Sequence, residues 1–145
     1  VKNARRYAQG TDVSVSKSRG EIEALLIKHG AAQILSGYDQ PSRSGFVGFT
    51  LAKRQYRIPL LARGDRNRDP DQVERERWRA LLLVIKAQLE FVAAGIASAE
   101  SMFLAHLVLP GGETVGAYVA PRLAAAYESG QMPPLLPQWS GDARR

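Results

Sequence analysis

The sequence predicts an α+β fold: an N-terminal helix, a small three-stranded antiparallel meander, then three C-terminal helices packed on one face of the sheet. Three observations carry that expectation. Apolar residues recur at helical spacing after Ser18 and again after Asp69, the stretch 46–60 between them alternates with a period of two, and turn-forming Gly, Pro, Ser and Asn cluster at the junctions. At 145 residues, with 45% hydrophobic and 23% charged positions, the chain suits one domain that buries a core without staples. The expected boundaries are a flexible basic arm over 1–15, a single domain over 16–137 and a flexible tail over 138–145.

The arm has no periodicity and carries Lys2, Arg5 and Arg6. It lacks the apolar stretch of a signal peptide. In SRGEIEALLIKHG, Ser18 and Glu21 have the spacing of a capping box, in which each side chain satisfies the other's free backbone N–H. Ile22, Leu25 and Leu26 supply the apolar stripe, and Gly30 can end the helix in the left-handed conformation. His29 reads as a residue of the last turn rather than as a ligand, since no second ligand lies at helical spacing.

Three strands follow: Ala31–Tyr38, Phe46–Leu51 and Gln55–Leu61. Lys53-Arg54 is the expected hairpin tip, and Pro59 makes the third strand an edge because proline has no N–H for a ladder. Asp69-Pro70 then starts the strongest helix, with Gln72 placed to close its cap. Its stripe is Trp78, Leu81, Leu82, Ile85, Leu89 and Val92. Arg75, Arg79 and Lys86 line the solvent face, with Glu76–Arg79 and Lys86–Glu90 as expected pairs. Gly95 breaks the helix and Ser98 restarts it, with Met102, Phe103 and Leu107 apolar; His106 among them reads as a core histidine. Thr114 caps a last helix that runs past Pro121 to Ser129-Gly130.

Charge is uneven along the chain. Residues 1–86 carry 17 Lys/Arg against 9 Asp/Glu, whereas residues 87–145 carry 3 against 5, for a net +6. A basic half points to a polyanion. The expected nucleic-acid-binding residues are Lys53, Arg54, Arg57, Arg63, Arg66, Arg68, Arg75 and Arg79, merging the hairpin, the 63–69 loop and the following helix start into one patch. Tyr38, Phe46 and Tyr56 would be stacking aromatics.

Catalytic and metal-binding residues are expected to be none, and no cofactor is expected. There is no cysteine, no Gly-x-Ser-x-Gly elbow and no base beside a nucleophile. PGGETVG lacks the Lys-Ser/Thr of a phosphate loop, and Arg63-Gly64-Asp65 reads as a chance tripeptide. Asp65, Asp69, Asp71, Glu74 and Glu76 alternate with arginines, which fits an internal salt-bridge ladder better than a nuclease centre. No apolar run approaches the roughly 20 residues that span a bilayer, so no membrane role is expected and a cytoplasmic location is.

SKSRGEIEALLIKHGA, RWRALLLVIKAQLE, FLAHLVLPGGETVG and MPPLLP, taken together over Ser16–Pro137, resemble an uncharacterised family of small proteins encoded by bacterial phages and prophages. The resemblance implies a bacterial cytoplasm and a place among genes handling phage DNA. It brings no catalytic residue with it. Two functions are therefore expected from the sequence. The first is nucleic-acid binding, with DNA as the expected nucleic acid, through the positive patch. The alternative is a protein-interaction module, an accessory subunit or an inhibitor of a host protein, that uses the charge-poor Ala97–Leu109 and Leu123–Tyr127 for a partner or for self-association.

Overall fold

The computed structural model describes residues 6–61 and 67–132. Its elements are α1 (Val15–Lys28), β1 (Ala32–Asp39), β2 (Ser44–Leu51), β3 (Arg54–Leu60), α2 (Pro70–Ala93), the short α3 (Ala99–Met102), a 3-10 turn (Leu104–His106) and α4 (Val115–Ser129). The strands form one antiparallel sheet in the order β1-β2-β3. The fold is α+β, as the sequence predicts.

Period-two alternation sorts the sheet into two faces. Val47, Phe49 and Leu51 of β2 and Tyr56 and Ile58 of β3 point inward, and α1 and α2 cover them with Ile22, Leu26, Trp78, Leu81, Ile85 and Leu89. Phe103 closes the core, with its ring 5.4 Å from Phe49 and 5.6 Å from Tyr56. Gly45 lies where a Cβ would come within 2.8 Å of the Trp78 ring, so its lack of a side chain is what lets α2 settle on the sheet. α4 packs chiefly on the 3-10 turn. Leu107 and Val108 extend the free edge of β3: Tyr56 bridges Leu107, and the Val108 N–H donates to the Gln55 carbonyl at 2.9 Å.

Several local expectations shift. The cap of α1 is Ser14, whose hydroxyl accepts from the Lys17 N–H; Ser18 lies one turn in and is buried. Four residues of extra helix were hidden because Val15 and Lys17 break no rule but announce nothing. The hairpin tip is Ala52-Lys53, with φ of 49° and 64°, so Arg54 already belongs to β3. Both φ values are positive, as a two-residue type I′ turn requires. Residues 6–14 are not a loose arm: Ala8 is buried, the Gly10 N–H donates to Glu76 at 2.9 Å, and Gln72 donates to the Thr11 carbonyl at 2.8 Å. That last bond takes Gln72 away from the expected cap, which Asp69 forms alone by accepting from the Asp71 N–H. Residues 1–5 of the arm and the tail 138–145 lie outside the described residues.

The remaining caps fall where the sequence puts them. Gly30 and Gly95 have φ of 86° and 72°. Ser98 and Thr114 cap α3 and α4, and α4 runs through Pro121 to a left-handed Gly130. The helix after Ser98 is only four residues long before it tightens into the 3-10 turn.

Candidate functional site

The predicted positive patch divides between the two ends of the sheet. At one end, Gly45 meets Trp78, Tyr38 donates to Glu74 at 3.0 Å, and Arg43 in the β1–β2 turn pairs with Asp71 at 2.8 Å. The N-terminal half of α2 therefore sits at the β1–β2 turn. At the other end the Ala52-Lys53 tip lies near α3, since Arg54 pairs with Glu100 at 3.4 Å. An eight-residue strand separates the two ends by roughly 23 Å at 3.3 Å per residue, so Lys53 and Arg54 do not join the α2 arginines.

Most of those cations are already engaged. Arg68 grips Glu76 with two bonds, at 2.6 and 2.9 Å. Arg79 pairs with Glu21 across to α1. Arg75 donates to the side-chain Oε1 of Gln72 at 2.6 Å, and Arg57 donates to the Gly112 carbonyl at 2.8 Å. Lys53 is exposed and has no partner among the described residues. Arg63 and Arg66 lie outside the described residues. The expected Glu76–Arg79 and Lys86–Glu90 pairs give way to longer-range ones, because Arg68 reaches Glu76 and α1 offers Glu21 to Arg79. Glu90 instead lies 3.9 Å from His29 Nε2.

This network is electrostatically tight at one point. Arg68, together with the Gly10 N–H and Gln72, holds the Glu76 carboxyl at about 2, against burial that would raise it. Arg43 holds Asp71 below the usual carboxylate range by the same means. The acidic residues thus act as counter-ions to arginines. Among the described residues no group of three His, Asp or Glu could hold a metal ion, and none of the helices is long and apolar enough to cross a membrane. His106 is half-buried, and burial lowers its pKa.

Of the three expected stacking aromatics, Tyr56 is a core residue, and Tyr38 is on the same inward register as Gly45 with its hydroxyl on Glu74. Phe46 is on the outer face. Its ring covers Gly37 of β1, at a spot where a Cβ would come within 2.1 Å of it. Exposed Leu35 and Pro59 flank it on β1 and β3, so no element among the described residues packs over this face of the sheet.

The structure presents a second surface, which the charge pattern of the sequence does not point to. α2 has its core stripe at Trp78, Leu81, Ile85 and Leu89. Its opposite side is also apolar from Ala80 onward: Ala80, Leu83, Val84, Ala87, Phe91 and Ala94 are all exposed, Val84 by 50% and Phe91 by 46%. A surface helix normally presents polar residues on the side away from its core stripe. Beside Leu83 the surface dips into a groove of about 270 Å³ between α1 and α2, floored by Leu25 and Leu82 and rimmed by Tyr7, Glu21, Arg79 and Lys86. The signal was present in the sequence as a 4-3-4-3 repeat of Ala80, Val84, Ala87, Phe91 and Ala94. It was masked by its alanines and by the stronger stripe beside it.

The surface expected over Ala97–Leu109 and Leu123–Tyr127 is partly consumed. Ala99 and Phe103 are core, while Leu104, Leu123 and Tyr127 remain exposed. Comparison with protein families, with curated proteins and with solved structures finds no match for this chain.

Proposed function

We propose that this chain is a protein-interaction module that docks a partner on the outer face of α2. One observation carries the reading: an uninterrupted apolar stripe over four turns of exposed helix, on the side opposite the core. Scattered exposed apolar residues need no explanation, but a contiguous stripe bordering a groove is the usual mark of a docking surface.

The test is an encoded photo-crosslinking side chain at Val84, compared with one at exposed Gln40 far from the stripe. A discrete higher-mass adduct at Val84 and none at Gln40 is expected in the chain's own cells. Equal adducts at both positions, or none at Val84, would overturn the reading.

Nucleic-acid binding stays as a second reading on one specific observation. Phe46 lies over Gly37 on an open sheet face, with Arg57 on the same face and Lys53 free at the hairpin tip beyond it. A flat aromatic beside cations can stack an unpaired base. It predicts affinity for a single-stranded oligonucleotide that falls steeply with salt and is lost in Phe46→Ala. Binding that survives Phe46→Ala would sink it.

A further inference from the structure

We infer that the occupant of the α2 outer face is a second copy of this chain, the two α2 helices pairing antiparallel about a two-fold axis at Ala87. The inference rests on the docking reading above and adds the identity of the partner. Its first support is the charge layout. The chain carries a net +6, so two copies repel, and the repulsion at contact is least where they meet through a neutral surface. The stripe from Ala80 to Ala94 contains no charged side chain, and a two-fold interface sets each patch against itself.

The second support is the flank of the stripe. Lys86 and Glu90 lie side by side on one edge and are both exposed. Antiparallel pairing about Ala87 sets that edge against the same edge of the second copy, running the other way. At 1.5 Å per residue, Glu90 of one copy then falls within about 3 Å, along the axis, of Lys86 of the other. The two-fold makes this happen twice. Glu90 also lies 3.9 Å from His29, which leaves it exposed and able to turn.

The third support is shape. Ala80, Ala87 and Ala94 recur every seven residues, so the backbones can approach to about 8 Å, the close end of helix packing. About the axis Ala80 meets Ala94, Leu83 meets Phe91, and Ala87 meets itself. Large residues face large ones only in that pair, and Leu83 borders the α1–α2 groove.

The chain has no cysteine, so single cysteines report geometry without background. Ala87→Cys is expected to give an oxidised, detergent-resistant dimer. Ala80→Cys alone and Ala94→Cys alone should give none, but a mixture of the two should give the mixed dimer. Sedimentation of the wild-type chain at about 100 µM should show a dimer that Val84→Glu converts to a monomer with unchanged helicity. Cross-linking by Ala80→Cys alone would mean a parallel pair and would overturn the inference. So would a wild-type monomer with no Ala87→Cys product. If that monomer still forms a Val84 photo-adduct with a mass other than twice the chain, the self-pairing is wrong and the docking reading stands. If it forms no adduct, both fall.

Discussion

Within α2, residues 70–79 present charge to solvent, whereas residues 80–93, apart from Lys86 and Glu90 on one edge, present apolar surface. In the first half Asp71, Glu74, Arg75, Glu76 and Arg79 each have a partner, four of them outside the helix: Arg43 for Asp71 and Glu74, Arg68 for Glu76, Glu21 for Arg79. That half finds its ion-pair partners within its own chain, the buried Arg75 Nε alone lacking a hydrogen bond among these groups. In the second half Leu83, Val84 and Phe91 are exposed, with no residue of the described chain covering them. A basic stretch looks like the place for a ligand, yet these cations must first give up internal partners before they can meet one. The apolar stretch looks like core, and half of it is core already. The difference teaches that excess charge in a sequence is a weaker pointer to a partner than apolar residues in excess of what the fold can bury.

The sharpest way to break this comparison is to cut adjacent residues on opposite sides of the second half. Ile85 is fully buried and Val84 is its exposed neighbour. Ile85→Ala should lower stability by about 3 kcal/mol, combining lost burial with a cavity. Val84→Ala should change it by about 0.5 kcal/mol or less, as surface positions do. Both are read from urea unfolding at a concentration low enough to keep the chain monomeric. If Val84→Ala costs as much as Ile85→Ala, the stripe is covered within one chain, and the docking surface is not there.

The core side of this comparison was legible in the sequence and the outer side was not. Trp78, Leu81, Ile85 and Leu89 stand out because large apolar residues at helical spacing have one strong reading. Ala80, Ala87 and Ala94 carry little hydrophobic weight, so the outer stripe hides behind them. Strands were legible from the alternation of Phe46–Leu51, and so were Asp69, Ser98 and Thr114 as caps. The charge network was not. Arg68–Glu76 and Arg79–Glu21 join positions 8 and 58 apart in sequence, and only the packing of α1 on α2 and the course of residues 6–14 decide them. The split of the positive patch is of the same kind. It follows from which end of the sheet each turn occupies, and a list of cationic residues does not contain that.

The charged half has its own test, smaller in effect. Glu76 titrates at about 2 in the folded chain against an ordinary 4.5. A depressed carboxyl adds stability that is full above the ordinary value and disappears as pH falls toward the folded one. The window is therefore pH 4.5 down to 2. The carboxylate's side chain is only 12% exposed, but it lies close to solvent, and screening trims the effect to about 2 kcal/mol. Glu76→Gln should lose that much at pH 7, and the gap to wild type should close as pH approaches 2. A gap that is constant with pH would mean that Arg68 and Gly10 gain nothing from the charge.

A smaller loss than at Ile85 or Glu76 is expected at the end of the stripe. Gly95 holds φ at +72° with open space where a Cβ would point. Gly95→Ala should therefore cost about 1 kcal/mol through the left-handed backbone alone, and Gly95→Asn less, since asparagine tolerates that region. Neither change touches Ala80–Ala94, so sedimentation of both variants should match wild type. That separation matters because Ile96 is exposed just past the turn, with its N–H bonded to the Phe91 carbonyl. If Gly95→Ala alters association as well as stability, the apolar surface runs on through Ile96, and the axis of the pair lies further along the helix than Ala87.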